Sequence, residues 1–150
     1  MKLFLDKEVG ALEPTRRHGQ DAGYDFKLTK ETTFKAKEWT ILPTGIRSLF
    51  DEDTALIAFN KSGKATKNGL MVGACVVDSA YQGIIHIHLY NTTDTDWTFP
   101  AGEKIVQFVP VKIDSSPAEI ITSDEMTVEE FYKDHNSERG SGGFGSTDKK

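Results

Sequence analysis

Short apolar runs, each broken within a few residues by a turn signal, constrain this chain more than any other feature. They occur at Phe34-Lys35-Ala36, Trp39-Thr40-Ile41-Leu42, Gly45-Ile46-Arg47-Ser48-Leu49-Phe50 and Ala55-Leu56-Ile57-Ala58-Phe59. They continue at Leu70-Met71-Val72, 84–90, 104–113 and Glu119-Ile120-Ile121. Each has strand length and is rich in β-branched or aromatic residues. Gly, Pro, Asn or Asp punctuates them at Pro43 and within 51–53, 61–67, 78–83, 91–96 and 100–102. Many short strands and few helices predict an all-β barrel or jelly roll. One short helix is expected near the C-terminus. Thr127-Val128-Glu129-Glu130 carries the N-cap and N3 residues of a capping box, with Val128, Phe131 and Tyr132 as an apolar stripe ending near His135-Asn136.

A chain of 150 residues has the size of one ordinary domain. The expected division is a β domain over 1–136 and a glycine-rich segment over 137–150. That segment contains Arg139-Gly140-Ser141-Gly142-Gly143-Phe144-Gly145-Ser146-Thr147. Gly loses the most backbone entropy on ordering, so the sequence reads as a mobile flap until a ligand holds it. It offers a guanidinium, unobstructed backbone N–H groups, two hydroxyls and one ring. The first three suit phosphate oxygens and the ring suits a flat base. The plainer alternative is a Gly/Ser tail without a role.

The formal net charge of −5 argues against broad nucleic-acid or anionic-membrane binding. A phosphorylated ligand would need a local cationic cluster instead. The single cysteine, Cys75, permits no internal disulfide, and its neighbours Val76 and Val77 suggest a buried thiol in a reducing compartment. The apolar start of the chain is too short for a signal peptide, so a soluble cytoplasmic protein is expected.

Several segments carry candidate chemistry. Asp78 opens Asp78-Ser79-Ala80-Tyr81-Gln82-Gly83, a segment expected to form a hairpin. Asp78 either closes the turn through its own backbone or acts as a general base on a water. Tyr81 either packs in the core or presents its ring to a sugar. Asp25, in Ala22-Gly23-Tyr24-Asp25, either holds hydrated Mg2+ or closes a turn. Ser62 and its neighbouring N–H groups in Asn60-Lys61-Ser62-Gly63-Lys64 could bind phosphate, with added charge from Lys61 or Lys64. The segment lacks Walker A spacing. Gln107 falls among apolar neighbours, where its amide must find a partner. His86 and His88 share a strand face, but no third ligand has metal-site spacing. No covalent nucleophile is evident.

Taken in order, five of these segments resemble the motifs of the trimeric dUTPases. Ala22-Gly23-Tyr24-Asp25 resembles the first and Lys61-Ser62-Gly63 the second. Val77-Asp78 with Tyr81 and Gly83 resembles the third, 102–107 the fourth and 139–147 the fifth. The resemblance implies a β jelly roll and a homotrimer whose sites lie between subunits. It implies hydrolysis of dUTP to dUMP and pyrophosphate with Mg2+ as cofactor. Asp78 would activate water, and Asp25 would hold Mg2+ through water. Lys61, Ser62 and Gly63 would meet the inner phosphates, and Gln107 would bond near the α-phosphate. Arg139, Gly145, Ser146 and Thr147 would clamp the terminal phosphate while Phe144 stacks on uracil. Tyr81 would pack under the deoxyribose, and the backbone around Val76, Val77 and His86 would read the uracil edge.

The chain departs from the motifs at four positions. Lys61 stands where Arg is usual, Asn60 where Pro is usual, Cys75 at a common Gly position and Val72 at a common Asn position. The segment 115–138 is also longer than usual. A related deaminase of dCTP would need a carboxylate in the strand after Asp78, and 84–90 has none. A nucleotide-sensing module without catalysis would not require Asp78 and the flap together.

Overall fold

The computed structural model describes residues 1–135, Ser137 and Ser141. Its strands are β1 (Lys2–Leu5), β2 (Tyr24–Lys27), β3 (Thr32–Phe34), β4 (Trp39–Pro43), β5 (Ile46–Leu49) and β6 (Thr54–Asn60). After helix α1 (Ser62–Asn68) come β7 (Leu70–Val72), β8 (Val76–Val77), β9 (His86–Asn91), β10 (Trp97–Phe99) and β11 (Lys104–Lys112). Helix α2 spans Val128–Tyr132. Met1–Ser115 and Ser116–Lys150 form two compact units. The first is an all-β jelly roll in which every strand pair is antiparallel.

The largest sheet has the order β2-β11-β6-β8 and the next has β4-β9-β7. Two-stranded sheets β1-β5 and β10-β3 complete the set. Period-two burial explains why these sequences choose strands. In β9, Ile87, Leu89 and Asn91 are buried while His86 is exposed and His88 and Tyr90 are half-buried. Phe26 and Phe108 meet in the core with ring centroids 4.5 Å apart. Pro110 lies in β11 beyond the last residue paired to β2, where β11 has β6 as its only ladder neighbour. A proline is tolerated best at such an edge.

Three local expectations require correction. The 61–67 turn is helix α1, because Gly69 adopts φ 61° and its N–H closes on the carbonyls of Ala65 and Lys64. A Cβ there would meet Thr92 Oγ1 at 2.5 Å, so Gly alone fits. Segment 78–83 is not a two-stranded hairpin: β8 pairs with β6, whereas β9 pairs with β4 and β7. It therefore connects two sheets. The strand expected at 119–121 is absent, and Ile120 is largely exposed. No described strand in its unit supplies a ladder for it.

The capping box of α2 forms as expected. Glu130 N–H donates to Thr127 Oγ1 at 3.2 Å, and Thr127 N–H donates to Glu130 Oε2 at 2.9 Å. The helix ends at Tyr132, before the expected His135-Asn136. No described helix is long and apolar enough to cross a membrane.

Candidate functional site

Two clefts lie beside β6. At its C-terminal end a cleft of about 490 Å³ is lined by Arg17, His18, Asp25, Lys61, Ser62 and Gln107, with Asp21, Gly63 and Lys104 beside them. Three local choices build it. β2 sets Asp25 opposite Gln107 of β11. β6 delivers Lys61 as the N-cap of α1, followed at once by Ser62. Gly23 allows the first turn to approach β11, since a Cβ there would meet the Phe108 carbonyl oxygen at 2.8 Å.

Charges converge within this cleft. Lys61 Nζ donates to both oxygens of Asp25 at 3.0 and 3.1 Å, and Lys104 Nζ approaches the same carboxylate at 3.4 Å. Asp21 accepts the His18 N–H at 2.8 Å, and this bond is the main reason its carboxyl is held below the usual range. Arg16 also folds into the loop, donating to the carbonyls of Asp21 and Gly19. The Gln107 amide, expected to need a partner, donates to the Asn60 carbonyl at 3.1 Å.

The second cleft, about 230 Å³, is lined by Cys75, Val76, Val77, Asp78, Tyr81 and His86, together with Ala74, Ile84, Ile85 and Phe108. The Ile84 carbonyl organises one wall. It accepts the Tyr81 hydroxyl at 3.0 Å, and His86 Nδ1–H is 2.8 Å away. A carbonyl only accepts, so the His86 proton is on Nδ1. Gly83 sits against the Tyr81 ring, where any Cβ would collide. Asp78 is exposed at the end of β8, and its carbonyl accepts Tyr81 N–H at 3.1 Å. Cys75 is half-buried rather than fully buried. His88 accepts the Ala74 N–H at 2.8 Å and stacks on Trp39, which leaves it in a structural role.

The predicted residues thus fall into two groups on one chain. Asp25, Lys61, Ser62, Gly63 and Gln107 share the first cleft, and Val76, Val77, Asp78, Tyr81 and His86 share the second. Arg139, Phe144, Gly145, Ser146 and Thr147 lie outside the described residues. Sequence reasoning missed Arg17, His18 and Lys104 as members of the first cleft. Arg17 and His18 are polar residues just before the first motif, and that charge was their only signal. No three His, Cys, Asp or Glu side chains converge into a metal site among the described residues.

A jelly roll with one cation-rimmed cleft and one ring-lined cleft defines an all-β class suited to an anionic, aromatic ligand. A family model described as dUTPase matches residues 11–148. The deoxyuridine 5'-triphosphate nucleotidohydrolase of Candida glabrata is 34% identical, with 99% of this chain and 96% of that protein covered. The chain belongs to the dUTPase family. The dUTPase of Staphylococcus bacteriophage 80alpha, solved with dUPNHPP, superposes with a TM-score of 0.80 at 23% identity, covering 97% of this chain and 96% of that one. A mutant dUTPase from phage phi11 of S. aureus, described with a structural Mg(II) ion, gives a TM-score of 0.72 at 20% identity. That match covers 80% of this chain and 95% of the other.

Proposed function

We propose that this chain is a dUTP diphosphatase that releases dUMP and pyrophosphate from a site completed between copies of the chain. The observation that carries this reading is the register of β6. Val77 pairs with Leu56, so Asp78 lies level with Ala55 at one end of the strand. Lys61 follows Asn60 at the other end. Six residue steps lead from Ala55 to Lys61, about 20 Å at roughly 3.3 Å per step. A base acting on the α-phosphorus must sit within one water of the phosphates. One copy's Asp78 cannot serve its own Lys61 and Ser62, so a second copy supplies the opposing half. A homotrimer closes such a head-to-tail arrangement.

In this reading Asp78 takes a proton from water as the oxygen attacks the α-phosphorus. The bond from that phosphorus to the bridging oxygen breaks, and pyrophosphate leaves with the electron pair. Lys61, Ser62 and Gly63 hold the inner phosphates, while Gln107 bonds near the α-phosphate. Tyr81, braced on the Ile84 carbonyl, packs under the deoxyribose. The backbone at Val76, Val77 and His86 meets the uracil edge. The segment 137–150 closes the site, with Arg139, Gly145, Ser146 and Thr147 on the terminal phosphate and Phe144 on the base. No covalent nucleophile is needed, because phosphoryl transfer depends mainly on position and charge neutralisation.

The oxygen donors of the first cleft suit Mg2+, which binds through one or two carboxylates and substrate phosphates while keeping several waters. Asp25 would hold it through water, with Asp21 beside it in the cleft. When bound, the ion would neutralise charge on the phosphate chain. The test is a panel of deoxynucleoside triphosphates with pyrophosphate detection. Release from dUTP alone is the expected result. No release, or ammonia from dCTP, overturns the reading.

A further inference from the structure

We infer that Lys104 is a further phosphate-binding residue, aimed into the first cleft by a β-bulge and parked on Asp25 until a polyphosphate arrives. The inference rests on the proposed use of that cleft. On β11, Lys104 pairs with Lys27 and Val106 with Phe26, so three residues of β11 face two of β2. Ile105 is the extra residue. Ile105 and Val106 are consecutive yet both buried, at 1% exposure each. Regular alternation would have put Lys104 on the face opposite Gln107. The bulge restores Lys104 to the Gln107 face, and both line the cleft. Bulges commonly re-aim a side chain beside a functional site.

The surrounding charges leave Lys104 available for exchange. Glu103 is held by Lys64, whose ammonium also sits 3.9 Å from the Phe99 ring centroid. Lys27, the like charge across the ladder, is turned to the Glu13 carbonyl at 2.8 Å. The partner of Lys104 is Asp25, at 3.4 Å. Lys61 already bonds both oxygens of that carboxylate. Two ammonium groups therefore share one carboxylate, and Lys104 makes the longer contact. A polyphosphate, with several anionic oxygens, offers Lys104 a stronger site than a carboxylate already neutralised. Its transfer leaves Asp25 with Lys61 as its remaining ammonium partner.

The test compares full-length wild type with Lys104→Met, Lys104→Gln and Lys104→Arg. Binding of inorganic tripolyphosphate is measured by calorimetry at several salt concentrations, beside inhibition by deoxyuridine and steady-state dUTP kinetics. Lys104→Met and Lys104→Gln should weaken tripolyphosphate at least ~10-fold and lower the salt slope, since a charged contact is lost. KM for dUTP should rise in parallel, kcat should fall less, and deoxyuridine inhibition should stay within about twofold. Lys104→Arg should recover most of the loss. Lys112→Gln, at a surface pair with Asp53, should change nothing. Unaltered tripolyphosphate binding in both neutral variants overturns the inference. So does equal weakening of deoxyuridine, which would mark a structural role. Wild type that binds tripolyphosphate through Lys104 without hydrolysing dUTP overturns the diphosphatase reading alone.

Discussion

Asp78 has no side-chain partner among the hydrogen bonds and ion pairs described, and it is exposed beside Tyr81 and His86. A carboxylate engaged only in closing a turn would be tied to nearby N–H groups. Asp78→Asn keeps the shape and removes the base. Turnover of dUTP should fall at least ~100-fold, the scale of general-base catalysis, while the substrate analogue still binds. Near-normal turnover measured by pyrophosphate release would remove Asp78 from that role. The gathering of Asp25, Lys61, Ser62, Gly63 and Gln107 beside one cleft was legible in the sequence as candidate chemistry, because short motifs keep their order along a chain. The ion pair between Lys61 and Asp25 was not, since 36 positions separate them. Neither was the aim of Lys104, because a bulge is a property of two strands in register.

At the scale of elements, buried polar contacts fix how the sheets meet. Asn91 ends β9 with no exposed surface. Its amide donates to the carbonyls of Phe34 at 3.0 Å and Thr95 at 2.8 Å, and its oxygen accepts from Thr93 N–H and Oγ1. Asn91→Ala strands these groups. Chemical denaturation should show a loss of at least ~2 kcal/mol, because an unsatisfied buried group costs about 1–3 kcal/mol. A loss under ~0.5 kcal/mol would show the network to be dispensable.

Asp96 gives an element-scale prediction in pH. It accepts from Lys35 Nζ at 2.6 Å and from the Ala36 N–H at 2.8 Å, and chiefly the Lys35 bond holds its carboxyl below the usual range. A folded value below the unfolded one stabilises above roughly pH 3.9, and that contribution is lost as pH falls through the folded value. The melting difference between wild type and Asp96→Asn should therefore shrink from pH 7 to pH 3. A difference that grows on acidification would contradict it. The positions of β4, β5, β6, β7, β9 and β11 were readable from apolar runs, whereas β1, β2, β10 and α1 were not. The decisive signal of α1 is Gly69 closing a short, wholly surface helix with no buried residue. The 119–121 run misled for the opposite reason: its apolar residues lack a ladder.

At the scale of the whole molecule, the proposed reading gives one copy two half-sites that do not meet within it. Inactive Asp78→Asn chains mixed with chains lacking 137–150 should regain activity after co-refolding, because some sites then receive an intact Asp78 and an intact closing segment. Activity that stays absent in the mixture, or an active monomer in sedimentation, would overturn the shared site. The fold class was legible from the spacing of turns. The distance between half-sites was not, because it depends on pairing β8 against the early part of β6.

The seven residues of β6 also divide the labour of inheritance. On the proposed reading one end carries residues that meet phosphates, which are the same in every nucleoside triphosphate. The other carries residues that meet a ring, where nucleotides differ. On the proposed reading each working site draws its halves from different copies, so a new preference arising in one gene would be tried first in mixed assemblies beside the old one. A strand divided in this way would let a lineage explore new bases while keeping its grip on the phosphate chain.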